Sequence, residues 1–330
     1  MASGPRCSVC GKPAVAYIRS IRRYLCEDHF MDYFERRVRR ILERARVKSG
    51  DRLLVAISGG KDSAALVEAL SVLRGSIGYK LAAIHIDLGI GEYSRKSREA
   101  ALKEASRHGI PLIIVDLREV LGVGIPELAK LTKRPPCSVC GLVKRYVLNA
   151  AAVEWGASYL VMGHNADDMA AYALKAFMSQ DLESLSKLGP VTETVPGLAV
   201  GRLRPLYMLS EKETFIYSML RKASFTMDEC PHVNRRQVEI VLKRAVGFIE
   251  SRMPGFKVQL LGNLARRYTD YPKPKEPLSR CPSCGLISSG GECSFCKLTR
   301  RALGEPMGPR MRAYIRQKLH ELGLEVAGEN

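Results

Sequence analysis

Residues 52–63 read RLLVAISGGKDS, an apolar run that ends abruptly in a loop of glycines, serines, one lysine and one aspartate. The apolar run predicts a buried strand, and AALVEAL at 64–70 predicts the helix that follows it. Glycines at such a turn let the backbone approach an anion, and the free N–H groups of the first helical turn point at that anion. The stretch therefore predicts a phosphate-binding loop at 58–63. Its spacing is not that of the kinase and GTPase P-loop, which ends in Lys-Ser or Lys-Thr.

Apolar runs and helical patterns alternate downstream of this loop. The predicted strands are 52–57, 80–87, 111–116 and 158–163, and the helices between them include 63–73, 94–108 and 140–154. This alternation predicts an α/β fold with a doubly wound parallel sheet and helices on both of its faces. Ligands of such sheets bind beyond the carboxyl ends of the strands. Ser58, Asp87 and the pair Gly163-His164 lie at predicted strand ends.

The segment GHNADD at 163–168 follows a predicted strand and begins a predicted helix. Its two adjacent carboxylates and its asparagine are oxygen donors of the kind that Mg2+ prefers beside ATP phosphates. The same residues also fit helix capping, in which Asn165 caps the helix and the acidic residues favour its positive end. We expect the cap in either case, and Asp168 is the candidate for an additional catalytic role.

Ten cysteines fall in three clusters, and in a chain expected to be cytoplasmic they indicate metal or redox chemistry rather than disulfides. The first and last clusters each consist of two close pairs, with two residues between the members of a pair. Their members are Cys7, Cys10, Cys26 and His29 in the first cluster, and Cys281, Cys284, Cys293 and Cys296 in the last. This spacing lets both ligands of a pair face one ion, so we expect two closed, structural zinc sites.

The middle cluster has three members, Cys137, Cys140 and Cys230, without a fourth cysteine. In one interpretation Cys230 is a plain buried thiol and the other two form a redox pair. In another, the three thiolates hold a [4Fe-4S] cluster. Such clusters usually take four thiolates, so a three-thiolate cluster leaves one iron open to an outside ligand. His232 competes as a fourth ligand, and spacing alone leaves these interpretations open.

Charge and hydropathy narrow the class of partner. The net charge of +18 favours a polyanion such as a nucleic acid over a merely basic surface. No apolar run reaches the roughly 20 residues of a membrane-spanning helix, and the first residues lack the apolar stretch of a signal peptide. A cytoplasmic protein without membrane association is therefore expected.

Lys144 and Arg145 lie one helical turn after Cys140. In one interpretation a cation there binds a phosphate or the substrate backbone. In the other it is a solvated surface charge.

The chain is expected to divide into three units. These are a zinc module at 1–30, a nucleotide-binding catalytic domain at 31–270, and a zinc ribbon with a tail at 271–330. A basic amphipathic helix is predicted at 30–47, directly after the first zinc module. The segment YPKPKEPLSR at 271–280 is typical of a proline-rich linker. SEKE at 210–213 has the spacing of a capping box and predicts a helix N-terminus.

The loop SGGKDS at 58–63 resembles the pyrophosphate loop of the ATP pyrophosphatases, and further segments narrow this resemblance. They are DLGIGEYS at 87–94, CSVCGLVKRY at 137–146, GHNADD at 163–168, Cys230-Pro231 and both zinc modules. In combination they make the chain similar to the TtuA/TtcA group of tRNA thiolases over most of its length. DLGIGEYS and CGLVKRY are most similar to the members that make 2-thiouridine in the T-loop of tRNA.

The resemblance implies a reaction and its cofactors. ATP adenylates the C2 oxygen of a tRNA uridine with release of pyrophosphate, and sulfur then displaces AMP. The target base must leave its stack to be reached. In this group, cysteines that match Cys137, Cys140 and Cys230 hold a [4Fe-4S] cluster whose free iron carries the sulfur. The resemblance also implies Mg2+, a ubiquitin-like sulfur-carrier protein with a C-terminal thiocarboxylate, and a homodimer.

The resemblance also implies site residues. Those expected to bind ATP are Ala56, Ser58, Gly59, Gly60, Lys61, Asp62, Ser63, His85, Asp87, Gly163 and His164. Those expected to act in catalysis are Lys144, Asp168 and Asp62. Alternatives are a wobble-uridine or cytidine thiolase, a non-thiolating adenylating amidase, and a non-enzymatic zinc-ribbon protein that binds RNA. The basic charge and the central cysteines speak against the amidase, because an amidase needs neither.

Overall fold

The structure is a computed structural model that describes residues 4–273 and 278–328; residues 274–277 of the predicted linker lie outside that part. The strands are β1 (Ala16–Ile18), β2 (Arg23–Leu25), β3 (Arg52–Ala56), β4 (Lys80–Asp87), β5 (Leu112–Asp116), β6 (Tyr159–Val161), β7 (Arg202–Leu203), β8 (Ser279–Arg280) and β9 (Ile287–Ser288). The helices are α1 (Glu27–Arg44), α2 (Lys61–Ile77), α3 (Gly91–Arg107), α4 (Leu117–Leu121), α5 (Ile125–Thr132), α6 (Pro136–Glu154), α7 (Ala166–Met178), α8 (Leu182–Leu185), α9 (Glu211–Leu220), α10 (Val238–Arg252), α11 (Phe256–Arg267), α12 (Ser294–Leu303) and α13 (Gly308–Glu321).

A five-stranded parallel sheet lies at the centre, in the order β5-β4-β3-β6-β7. The middle strand is β3, and its Leu54 pairs with Ala82 of β4 and with Leu160 of β6. Helices cover both faces, so the predicted doubly wound parallel sheet is confirmed. Sequence analysis does not predict β7, because a strand of two residues is too short to show an alternating pattern.

Side chains of β3 alternate between two apolar cores, one on each face of the sheet. Leu54 belongs to the core that contains α6, α13 and all four cysteines of the last cluster. Leu53 and Val55 belong to the other core, with α1, α2 and the N-terminal cysteine module. The two cysteine modules therefore pack on opposite faces of the sheet. Each module shares its core with the sheet. The division of the chain into three units, with its boundaries, stays a prediction.

Two of the predicted helices are longer in the structure than in the prediction from sequence. The helix predicted at 63–73 extends from Lys61 to Ile77, and the helix predicted at 140–154 begins at Pro136. Proline suits the first position of a helix, since its missing N–H would find no partner inside the helix there. The earlier start of α6 places both Cys137 and Cys140 near the N-terminus of that helix.

Helices α7, α10 and α11 form a third apolar cluster beside the sheet. Met169 and Ala170 of α7 share this cluster with Val246 of α10 and Leu261 of α11. The cluster brings α10 alongside the helix that GHNADD begins. Of the helices in the described residues, none is both long and apolar enough to cross a membrane.

Candidate active site at the carboxyl ends of the strands

The predicted phosphate-binding loop connects β3 to α2. Gly59 has a φ of 82°, in the left-handed region that favours glycine. A Cβ at Gly59 would stand 2.5 Å from the carbonyl oxygen of Ser97, so a larger residue does not fit. Gly60 is the N-cap of α2 and has no side chain to cap the helix. The N–H groups of the first turn are therefore available to an anion.

Two serines brace this loop. The Ser63 hydroxyl donates to the carbonyl oxygen of Gly60 at 2.8 Å and accepts from the Ser58 N–H at 3.2 Å. The Ser58 hydroxyl lies 3.2 Å from that of Ser63. Both serines also line the cavity beyond the strands, so they hold the loop and face the ligand site at once.

A cavity of about 260 Å³ lies beyond the ends of β3, β4 and β6. The expected ATP-binding residues that line it are Ala56, Ser58, Ser63, His85, Gly163 and His164, and Lys144 lines it as well. Gly59, Gly60, Lys61 and Asp62 belong to the loop at its edge. Asp87 lies at the end of β4 outside the lining, and its Oδ1 accepts from the Gly89 N–H at 3.0 Å. The fold thus gathers the expected nucleotide residues around one cavity, with Asp87 apart.

Two imidazoles, those of the buried His85 and the half-buried His164, face this cavity. His85 Nδ1 lies 2.9 Å from the carbonyl oxygen of Ile57, which can only accept, so Nδ1 carries the proton. Among the described residues, His85 Nε2 and His164 Nδ1 are buried without a hydrogen-bond partner. Burial, together with the charge of Arg204, lowers the pKa of His164 to about 3. Burial also lowers the pKa of His85, so both rings are neutral and can hydrogen-bond a nucleoside.

Lys61 and Asp62 join the loop to α7 and α9. Lys61 Nζ lies 3.0 Å from Asp62 Oδ2 and 2.6 Å from Glu211 Oε1. Asp62 Oδ1 accepts from Asn165 Nδ2 at 3.1 Å and also from the Thr214 hydroxyl. Burial disfavours the Lys61 ammonium, but the two carboxylates outweigh it and raise the pKa of Lys61. The loop cation is therefore charged and fixed in place.

Lys243 of α10 holds Asp168 beside the same network. Its Nζ lies 2.8 Å from Asp168 Oδ1 and 3.0 Å from Glu211 Oε2. Burial opposes the charge, but these two carboxylates outweigh it and raise the pKa of Lys243. Glu211 therefore links Lys61 of the loop to Lys243 of α10. The carboxylates of Asp62 and Asp168 are the oxygen donors here that suit Mg2+.

The two adjacent aspartates of GHNADD have different partners. Asp167 is buried, with Oδ1 2.8 Å from Lys257 Nζ and Oδ2 accepting from the Glu211 N–H at 2.9 Å. Asn165 caps α7 by accepting from the N–H groups of Asp167 and Asp168 at 3.0 and 3.1 Å. The predicted cap is confirmed. Asp167 ties helices together, whereas Asp168 faces the network of the loop.

The three central cysteines gather at the N-terminus of α6. The Cys137 thiol donates to the carbonyl oxygen of His232 at 3.4 Å, which brings the segment of Cys230 to the helix. Burial raises the pKa of the Cys140 thiol, and the neighbouring Lys144 ammonium opposes that rise. The charges of Cys230 and Cys137 also raise the pKa of the Cys140 thiol. The sulfur atoms of Cys137 and Cys230 therefore both lie within electrostatic reach of Cys140.

The three central sulfur atoms do not all lie as close together as the ligand atoms of the outer clusters. Among the described residues, the groups of ligand atoms that all lie within 4.8 Å of one another do not include the three central cysteines. The other cysteines all belong to two four-ligand groups that do satisfy this limit. Three thiols at the positive end of a helix fit a [4Fe-4S] cluster with one iron left to an outside ligand.

The outer clusters fit single metal ions. In the first, Cys26 Sγ lies 3.2 Å from His29 Nδ1 and 3.6 Å from Cys10 Sγ. In the last, Cys284 Sγ lies 3.8 Å from Cys293 Sγ, and all four cysteines are buried. The four ligand atoms of each cluster lie within 4.8 Å of one another, a spacing that suits tetrahedral zinc.

Sequence analysis misses the residues that join this site from other elements. The capping box at 210–213 is confirmed, with Ser210 and Glu213 bonded to each other's backbone. Nothing in that pattern indicates that Glu211 reaches the loop lysine. Lys243 stands among 52 lysines and arginines, in a helix without a motif, so no signal distinguishes it in the sequence.

Comparison with known families agrees with this geometry. The model of the PP-loop domain matches residues 31–238, and the model of the N-terminal LIM domain of 2-thiouridine synthetase TtuA matches residues 6–31. The doubly wound sheet, the SGGKDS loop and the cavity at its strand ends define an ATPase of the PP-loop class. The first match extends over more than half of the chain.

Known relatives narrow this class. The tRNA-5-methyluridine(54) 2-sulfurtransferase of Thermus thermophilus is 40% identical over 88% of this chain and 90% of its own length. The protein of the same name from Pyrococcus horikoshii is 39% identical over 88% and 93%. A solved structure, the U34-tRNA thiolase NcsA from Methanococcus maripaludis with its [4Fe-4S] cluster, is 26% identical with a TM-score of 0.76 and covers 91% of this chain and 96% of its own. The chain belongs to the TtuA-type tRNA 2-thiouridine synthetases of the PP-loop family.

Proposed function

We propose that this chain is an ATP-dependent tRNA uridine 2-sulfurtransferase. The observation that carries the proposal is the position of Lys144. Its side chain lines the nucleotide cavity together with Ser58 and Ser63, and it also lies against the Cys140 thiol. One cation thus stands between the place for ATP and the place for sulfur, which suits a reaction that adenylates the C2 oxygen of uridine and then brings sulfur to C2.

The first step is adenylation of the uridine. The C2 oxygen attacks the α-phosphorus of ATP, the bond from that phosphorus to the bridging oxygen breaks, and pyrophosphate leaves with the electron pair. Sulfur at the oxidation level of sulfide then attacks C2, and AMP leaves with the former C2 oxygen. A carbonyl oxygen is a poor leaving group and AMP is a good one, so adenylation makes the substitution feasible.

The residues of the cavity fall into roles for this chemistry. The N–H groups at 58–63 and the Lys61 ammonium take the phosphates and balance the charge of the departing pyrophosphate. Asp62 and Asp168 would hold Mg2+ beside those phosphates. His85 and His164 hydrogen-bond the nucleoside. Lys144 stabilises negative charge where the nucleotide meets the base.

Metal groups complete the proposal. Cys137, Cys140 and Cys230 would hold a [4Fe-4S] cluster, which supplies an open iron site for sulfur when it is bound. The two outer clusters would each hold a zinc ion with four protein ligands, so they act in structure rather than in catalysis. The choice of the cluster over a redox pair is supported by the similar NcsA structure, which contains a [4Fe-4S] cluster.

The proposal extends to the target nucleotide and the partners. We place the target at 5-methyluridine 54 of the T-loop, because the relatives that are about 40% identical carry that position in their names. The family resemblance supports a ubiquitin-like sulfur carrier with a C-terminal thiocarboxylate, a homodimer and a cytoplasmic location. The name of the NcsA structure, which has lower identity, makes uridine 34 the alternative target.

Nucleoside mass spectrometry tests this function. Anaerobically purified protein is incubated with unthiolated tRNA, ATP, Mg2+ and sulfide, and we expect a 2-thiouridine nucleoside in the tRNA. The product should disappear when nucleotide 54 is changed to cytidine and persist when nucleotide 34 is changed. Asp168→Asn should abolish it, whereas Asp181→Asn, at the exposed cap of α8, should retain it. Thiolation at 34 would reassign the target, and no thiolation of any tRNA would contradict the proposal.

A further inference from the structure

A second cavity, of about 430 Å³, lies between α6 and the C-terminal module. Its lining contains three cations, Arg145, Lys187 and Arg202, and a single carboxylate, Glu193. Glu193 is largely exposed and pairs with Lys273 at 3.4 Å. Asn149, Thr192 and Ser294 add polar side chains to the wall. The cavity therefore combines an apolar wall with polar side chains and carries an excess of positive charge.

Neither Arg145 nor Arg202 has a neutralising partner. In the ranges 4–273 and 278–328, neither guanidinium makes a hydrogen bond or an ion pair, although Arg202 is half-buried. Arg204, two residues further along the chain, donates instead to the carbonyl oxygens of Gly189 and Lys187, at 2.5 and 3.2 Å. Burial and the charge of Arg145 both lower the pKa of Arg202. Arg145 is exposed and Arg202 half-buried, so the unpaired charge of Arg202 is the unfavourable one, and an anion shared with Arg145 would offset it.

This cavity borders the active site. A Cβ on Gly141 would stand 3.3 Å from Arg145 Nη1, so the Arg145 guanidinium folds back along α6 to the residue after Cys140. Arg202 lies on β7 at the edge of the sheet, and its charge, after burial and Arg204, contributes to the low pKa of His164 in the nucleotide cavity. An anion held by the two arginines would therefore lie beside both the cysteines and the nucleotide.

We infer that Arg145 and Arg202 form a subsite for a phosphate group, and that this group is a backbone phosphodiester of the RNA next to the target nucleotide. The inference rests on the proposed function. Guanidinium groups match phosphate oxygens in a bidentate manner. The ATP phosphates already have the loop at 58–63, whereas a nucleotide that leaves its stack needs its backbone held close to the site.

Binding measurements on Arg145→Gln and Arg202→Gln test the subsite. The matched control is Arg300→Gln, which removes an exposed charge from α12 of the C-terminal module, where Glu292 pairs with it at 2.8 Å. We expect the slope of log K for tRNA against log salt concentration to become shallower by about 0.7–0.9 in each variant, as for one lost phosphate contact. The control slope should not change, and affinities for ATP and for pyrophosphate should not change in any variant.

Three results would overturn the inference. Weaker binding of ATP or pyrophosphate with an unchanged tRNA slope would assign the subsite to the nucleotide rather than to RNA. If both variants bind tRNA, ATP and pyrophosphate as the parent does, the two arginines do not form a phosphate subsite. A thermal unfolding midpoint of Arg202→Gln several degrees below that of the parent would indicate a structural role, because loss of an unpaired half-buried charge should leave the midpoint equal or higher.

These measurements separate the inference from the proposed function, because binding needs no turnover. A chain that binds tRNA through Arg202 but makes no thiouridine would contradict the function and support the subsite. A chain that thiolates tRNA with the same salt slope in both variants would contradict only the subsite.

Discussion

Lys243 Nζ lies 2.8 Å from Asp168 Oδ1, so a helix outside the sheet holds the aspartate expected to act in catalysis. The same ammonium contacts Glu211, which also bonds Lys61 of the phosphate-binding loop. Two cations and two carboxylates of four different segments thus form one continuous chain of contacts. The position of Asp168 relative to the ATP phosphates depends on this chain, and not only on the segment GHNADD.

Replacement of Lys243 by methionine should therefore impair adenylation. The change leaves Asp168 and Glu211 close together without the cation between them, and breaking such a partly buried pair should lower the free energy of unfolding by about 1–3 kcal/mol. We expect the rate of AMP formation to fall at least about tenfold, since each 1.4 kcal/mol of lost transition-state stabilisation is a factor of ten. The measurements are single-turnover AMP formation and urea unfolding.

Two variants separate positioning from folding. Lys243→Arg keeps a cation beside Asp168 and Glu211 and should recover part of the rate. Lys175→Met, which breaks the exposed pair with Glu239 on the same helices, should leave the rate unchanged. An equal rate in Lys243→Met and the parent would show that Asp168 needs no support from α10.

The central cysteines should separate sulfur transfer from RNA binding. Cys140→Ser should lose bound iron and sulfur transfer, whereas tRNA affinity should stay within about twofold, because binding rests on the basic surface. Cys26→Ser, in the N-terminal cluster, is the control and should lose one zinc while iron is retained. Metal analysis and a tRNA binding curve check both. Loss of tRNA binding in Cys140→Ser would instead indicate a structural metal at the centre.

The C-terminal module should stabilise the helix that carries the active-site cysteines. The ring of Tyr146, on α6, stacks on Phe295 with centroids 3.9 Å apart, and its hydroxyl donates to the Gly308 carbonyl oxygen at 3.2 Å. Phe295 is buried, so Phe295→Ala should lower the free energy of unfolding by about 3–5 kcal/mol. Phe177→Ala, at an exposed position, should change it by less than about 0.5 kcal/mol. Chemical unfolding of both variants measures these changes. An equal loss of unfolding free energy in Phe295→Ala and Phe177→Ala would contradict the stabilising role of the packing on Tyr146.

Acid should destabilise the protein through His164. Its pKa is about 3 in the folded chain against an ordinary value of 6.5, so the unfolded chain binds more protons between these values and stability falls as pH decreases from 6.5 towards 3. Relative to the parent, His164→Gln should lose less stability between pH 7 and 4, by about 2–4 kcal/mol. His320→Gln, an exposed histidine on α13, is the control. Parallel stability curves for parent and His164→Gln would contradict the low pKa.

Local patterns in the sequence predict much of the fold and part of the site. The loop at 58–63, the four longer strands and both outer cysteine clusters follow from glycine conformation, apolar periodicity and ligand spacing. β7 does not, because two residues carry no period. Lys243, Glu211 and Arg202 cannot be predicted either. The partners of Lys243 and Glu211 lie far away in the chain, and the sequence does not distinguish a basic residue on a solvated surface from one in a functional site. Burial and pairing distinguish a surface residue from a site residue, and both are properties of the fold.

The most direct test of the central claim is the stoichiometry of ATP cleavage during thiolation. Anaerobically purified protein is given α-labelled ATP, sulfide and unthiolated tRNA, and labelled AMP and 2-thiouridine are counted in the same samples. The adenylation mechanism predicts tRNA-dependent AMP with one thiouridine formed for each AMP, and no ADP. Formation of ADP, or thiouridine without AMP, would contradict it.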